Sequence, residues 1–200
     1  QEQSRRNTLL AKAEAELAEG RYFAAEQIYR QLIRTGNAET PLARVGLVHA
    51  QLAAGMIRSA GLNVRRLFEQ HPELIGVRYE ANLLPPADRI EKIQQELQRS
   101  INADAAGADP GLLLAYLGFQ AGSERVVRYG LSVAEAETPR DPLIPVLRGV
   151  WLQRLDAGEN ANDADGAAAD PDADPDADPT RGDVSGPTPG TDTSTEPPGK

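Results

Sequence analysis

Apolar residues recur through residues 4 to 155 at three- and four-residue intervals, the period of helices that bury one face. Leu9, Ala13 and Leu17 form one stripe; Tyr22, Ala25, Ile28, Tyr29, Leu32 and Ile33 form the next, with Gly20 between them as a helix stop. Two stripes joined by one turn predict a helical hairpin at about 4–36. A second, at 40–71, follows from Val45, Val48 and Leu52, then Gly55, then Ile57, Ala60, Val64 and Leu67, closed by Pro72. A third, at 109–138, opens on Asp109 and Pro110, a capping acid followed by proline at the first helical position. Its stripes are Leu112, Ala115, Tyr116 and Phe119, then Val127, Leu131 and Ala134. Asp141 and Pro142 open a last helix, 141–156, whose Leu143, Leu147, Val150, Trp151 and Leu155 suit the cap that an open-ended stack requires.

The landmarks repeat. Gly20 to Gly55, Ala25 to Ala60, Tyr29 to Val64 and Leu32 to Leu67 are each 35 residues apart, and Gly122 to Pro139 matches Gly55 to Pro72 at 17. A constant offset over several landmarks marks an internal repeat. These positions resemble the tetratricopeptide repeat, a helix-turn-helix unit of about 34 residues with small or aromatic residues at set places and a closing proline. The resemblance spans roughly residues 4 to 155. Gly55, Ala60, Leu67 and Pro72 match in the second unit, Gly20, Tyr22, Ala25 and Tyr29 in the first, and Gly122, Ala134 and Pro139 in the third. Asn37 stands where proline is usual, Val127 replaces a small residue, and the Trp and Leu-Gly of the first helix are missing from every unit. The resemblance implies an all-α fold, a short right-handed α-solenoid of helical hairpins with a C-terminal capping helix.

The interval 74–103 is one repeat long but half of it departs from the pattern. Ile90, Ile93, Leu97 and Ile101 give a second-helix stripe, whereas the place of the first helix holds Leu74 to Pro86, ending in two prolines that disfavour helix. The expectation is a degenerate repeat whose first helix became a loop, leaving a gap between the second and third hairpins. Irregular apolar loops on regular scaffolds are places where function concentrates.

Composition adds a boundary near Asp156. Residues 1–155 hold 19 Lys and Arg against 18 Asp and Glu, whereas 156–200 hold 2 against 12. The acidity therefore belongs to the tail. Beyond Asp156, Val184 is the sole larger apolar residue, and the Asp-Pro-Ala run from Asp170 to Pro179 favours extended chain. The domain reading is a helical repeat domain at 1–156 and a disordered acidic tail at 157–200. Arginine outnumbers lysine 18 to 3, which suggests a GC-rich bacterial source.

Chemistry-bearing motifs are sparse. There is no cysteine, so disulfides and thiolate chemistry are excluded. The two histidines, His49 and His71, have no partner ligands at metal-binding spacing, and no metal or cofactor is expected. A nucleophile elbow and a glycine-rich phosphate loop are both missing. The basic residues Arg58, Arg65 and Arg66 lack the excess charge and interleaved aromatics of a nucleic-acid surface. No apolar run reaches the roughly 18 residues of a membrane span. Nothing in the sequence assigns a compartment.

The resemblance implies a non-enzymatic protein-protein interaction scaffold. By resemblance, it binds a peptide or helix on a concave face lined by the first helix of each hairpin. Equivalent positions on successive first helices fall at Glu14, His49 and Tyr116, with Phe119 a turn beyond. Tyr79, Leu83 and Leu84, in the loop, either plug the stack or meet a ligand. The Lys and Asn of carboxylate-clamp repeats are missing from this face apart from Asn7, so an aromatic and apolar interface is expected. The alternative is an accessory repeat domain of a larger enzyme or cell-envelope assembly whose catalytic or anchoring part lies upstream of residue 1.

Overall fold

The computed structural model describes residues 2–35, 41–103 and 108–166. Eight α-helices account for most of them, with no strand among the described residues: α1 Glu2–Ala18, α2 Tyr22–Thr35, α3 Pro41–Ala53, α4 Ile57–Gln70, α5 Ala87–Asn102, α6 Ala108–Gln120, α7 Glu124–Glu137 and α8 Leu143–Gly166. Two 3-10 turns, Pro72–Leu74 and Ala81–Leu83, punctuate the stretch between α4 and α5.

Three hairpins, α1–α2, α3–α4 and α6–α7, close with the same turn. Gly20, Gly55 and Gly122 lie at φ of 77°, 75° and 72°. That left-handed conformation costs glycine nothing and a side chain a good deal. In each turn the glycine N–H donates to the carbonyl three residues back, Leu17, Leu52 or Phe119, and the next N–H donates five back, to Glu16, Gln51 or Gly118. This pair of bonds satisfies carbonyls that the helix end leaves open. These glycines thus mark the places where a required backbone conformation recurs.

Helix order in space differs from the expectation in one respect. α3 packs on α2, and α6 packs on α4 in the same way, so the second and third hairpins are direct neighbours and no gap separates them. The interval 72–103 is not a unit of that series. Its helix α5 lies against α3 and α6, and the turn Ala81–Leu83 touches α1 and α3. The insertion crosses the first helices of the hairpins. The amphipathic stripe of α5 explains its seat, since Ile93 and Leu97 are both buried.

Being covered on both sides, α3 and α6 are the interior helices. Every residue from Val45 to Ala53 and from Pro110 to Gln120 is buried. The helices α2, α4, α5 and α7 each keep a polar face outward. The backbones of α6 and α7 approach closely. A Cβ added at Gly130 would stand 2.6 Å from the Ala115 nitrogen and 2.6 Å from the Gly111 carbonyl oxygen. Val127 replaces the small residue of the other hairpins, and Gly130 supplies the close contact three residues later. Gly130→Ala should cost about 2 kcal/mol through overpacking, read as a lower urea midpoint at unchanged m.

Helix α8 runs to Gly166, ten residues beyond the predicted boundary at Asp156. Ala157, Glu159 and Ala161 favour helix, and extending a formed helix needs no new nucleus. The remainder of the acidic tail, 167–200, lies outside the described residues.

Candidate functional site

The insertion places one irregular segment, Ile75 to Pro86, over the C-terminal halves of the first helices. It is held chiefly by its backbone. The indole of Trp151 on α8 donates to the Ile75 carbonyl at 2.6 Å. Gln120, at the end of α6, grips the next stretch on both edges: its Nε2 donates to the Val77 carbonyl at 3.1 Å, and its Oε1 accepts from the Tyr79 N–H at 3.0 Å. A primary amide offers a donor and an acceptor side by side, which matches the spacing of groups along an extended chain. Arg78 closes the contact by reaching the Gln120 carbonyl at 3.4 Å.

Farther along, His49 on α3 bonds the Leu83 carbonyl and, through its other ring nitrogen, the Tyr116 hydroxyl at 2.7 Å. The carbonyl is an acceptor, so Nδ1 carries the proton, and bare Nε2 accepts from the Tyr116 O–H. Burial drives the His49 pKa down to about 4, opposed by the bond to Leu83. Burial also pushes the Tyr116 phenol well up. Both groups are neutral near pH 7. The pair forms a chain of dipoles running from the Tyr116 hydroxyl through the His49 ring to the Leu83 carbonyl.

Tyr79 packs edge-on against the His49 ring at 5.6 Å. Its hydroxyl is buried and finds no hydrogen-bond partner. Burial raises that phenol to about 12. Tyr79→Phe removes a desolvated, unpaired hydroxyl and should stabilise the fold by about 1 kcal/mol, seen as a raised urea midpoint.

The expected groove residues are therefore brought together in part. His49, Tyr116 and Tyr79 form one cluster, and Leu83 lies over it through its carbonyl; Leu83 and Leu84 are half-buried. His49 and Tyr116 stack at 5.7 Å, so the two positions adjoin with nothing between them. Neither is open to solvent, because the segment covers them. Phe119 points elsewhere, stacked on Trp151 at 5.3 Å in the core between α6 and α8. Glu14 is half-buried on α1, where its charge adds to burial in pushing the Tyr29 phenol up.

Sequence reasoning missed Gln120 and Trp151 as the groups that hold the segment. It also missed a polar row across α2, α3 and α4, in which Asn63 donates to Gln51 at 2.7 Å and Gln51 donates to Glu26 at 3.2 Å. Gln51 and Glu26 are buried, and Arg30 pairs with Glu26 at the row's outer end. A polar side chain one position from an apolar stripe was the available signal. Among the described residues, no group of three or more His, Asp or Glu is arranged for a metal, and no helix is long and apolar enough to cross a membrane. Compared with known proteins, the chain matches no family model, no curated protein and no solved structure.

Proposed function

We propose that this chain is a non-enzymatic protein-interaction scaffold, a short α-solenoid of the tetratricopeptide kind that binds an extended segment across its first helices. The observation that carries the reading is the Gln120 amide, which grips an extended backbone on both edges, together with the His49 bond to a carbonyl farther along. Side chains that recognise main chain in this way are the chemistry of peptide capture. The three identical turns supply the rigid frame that such a face needs. The cluster's neutral His49 and Tyr116 favour binding over proton transfer.

Affinity capture with the full 200-residue chain, followed by hydrogen-exchange footprinting of the captured complex, tests this. A protein recovered above control, with protection changed in 77–84, α3 and α6, is the expected result. A chain that captures nothing above control overturns the scaffold reading.

A further inference from the structure

The segment from Val77 to Leu84 has the properties of a bound ligand more than those of core. Its hydrogen bonds to the Gln120 amide and the His49 ring run through its backbone and do not depend on which side chains it carries; side chains add two contacts, Arg78 to the Gln120 carbonyl and the Tyr79 ring against His49. Its own side chains are poorly buried: Arg78, Glu80, Ala81 and Asn82 are exposed, and Val77, Tyr79, Leu83 and Leu84 are half-buried. The face beneath is the reverse, with His49 0%, Tyr116 1% and Gln120 6% exposed. A polar-and-aromatic face covered by a chain that it holds mainly by backbone has the geometry of a binding site with an occupant.

The occupant fits imperfectly. At the position where the segment inserts a ring beside His49, the hydroxyl of Tyr79 is buried without a partner. A ring lacking that hydroxyl fills the same space without stranding a polar atom. We propose that residues 77–84 stand in for a partner's peptide, and that the face takes a segment extended where Gln120 grips it and turned before the carbonyl that His49 holds, carrying a phenylalanine-like ring where Tyr79 now sits. The ligand offers a carbonyl two residues before that ring and its own N–H at the ring residue, both to Gln120, and a further carbonyl four residues after it to His49. This inference rests on the scaffold reading. Tethering gives the internal segment a high effective concentration, on the order of millimolar for short linkers, so the partner must outbid it through better fit.

The test uses the full chain with residues 77–84 replaced by the same number of Gly and Ser residues. The probe is a synthetic peptide of residues 74–86, in its native form and with Tyr79→Phe. The replaced chain should bind the native peptide at least about tenfold more tightly than the unaltered chain does, because no internal segment competes. The Tyr79→Phe peptide should bind severalfold more tightly again, and Gln120→Ala in the replaced chain should weaken binding at least about tenfold. A helical replaced chain that leaves both peptides unbound overturns the proposal, as does equal binding with and without Gln120.

Native-state hydrogen exchange on the unaltered chain decides the matter if the replaced chain does not fold. The Tyr79 amide should exchange through a local opening insensitive to low denaturant, while amides of α3 and α6 exchange with global unfolding. A Tyr79 amide that exchanges only with global unfolding overturns the proposal. That result removes the site on the first helices and leaves only the broader reading, a chain that captures another protein; failure of capture sinks that broader reading whatever the segment does.

Discussion

Between pH 6.5 and pH 4 the fold should lose on the order of 3 kcal/mol through one side chain, His49. In the unfolded chain an imidazole titrates near 6.5, whereas burial holds His49 at about 4 in the folded protein. Inside that window the unfolded chain takes up a proton that the folded chain refuses, so stability falls as pH falls. Above 6.5 both states are neutral and the contribution is complete. The slope approaches about 1.4 kcal/mol per pH unit in the middle of the window. The groups against the ring, Tyr79 and Tyr116, have phenols pushed up by burial and carry no charge there. Urea denaturation of the unaltered chain and of His49→Gln, from pH 7 down to 4.5, isolates the effect, because the exposed carboxylates titrate alike in both. Glutamine keeps a donor for the Leu83 carbonyl and does not titrate. The stability gap between the two chains should shrink or reverse as the pH drops; a constant gap would show that the folded ring takes up its proton as readily as the unfolded one, and a widening gap that it is already charged in the fold.

The hairpin frame was legible in the sequence because it depends on local requirements. Gly20, Gly55 and Gly122 each occupy a positive-φ position that few other residues accept, so their spacing reported the turns directly. The pairing of hairpins was not legible in the same way. A missing first helix between 74 and 86 suggested a gap, yet His49 and Tyr116 share a hydrogen bond across adjoining helices.

The residues of α6 nevertheless carry a signal for the cover. Leu112, Leu113, Leu114, Ala115, Tyr116 and Leu117 are consecutive, which is no stripe at all, and each is buried. A helix apolar on every side must be covered on every side. That rule excludes an open face along α6 and requires a cover, which the chain supplies from its own insertion. Gln120 and Trp151 were invisible as a pair because they meet the segment from helices far apart in sequence. Hydrophobic periodicity reports burial and is silent on side-chain bonds to distant backbone.

Trp151→Ala should be the most damaging single substitution, costing about 5 kcal/mol. The ring has 0% exposure and lies where α8 meets the rest of the protein. It stacks on Phe119 of α6 at 5.3 Å, meets Phe68 of α4 edge-on at 6.1 Å and approaches Tyr116 at 6.3 Å. Truncating a buried tryptophan costs about 3–5 kcal/mol by itself. Losing its N–H also leaves the Ile75 carbonyl without its donor, adding on the order of 1 kcal/mol. Against a total of about 5–15 kcal/mol for an ordinary domain, that is enough to leave the variant partly unfolded at 37 °C. Trp151→Phe separates the two contributions, since a phenyl ring keeps most of the aromatic contact and none of the donor; it should cost about 2 kcal/mol. Circular dichroism melts measure both, with about 2–4 °C lost per kcal/mol in a chain of this size. If Trp151→Ala melted within a few degrees of the unaltered chain, α8 would not be docked on α4 and α6. The cluster of Phe68, Tyr116, Phe119 and Trp151 would then not form in solution. If instead Trp151→Phe proved as damaging as Trp151→Ala, the bond to Ile75 would be the dominant contact, and the start of the covering segment would be pinned more firmly than its middle. That outcome sets where the segment must hinge, between Ile75 and the Gln120 grip on Val77.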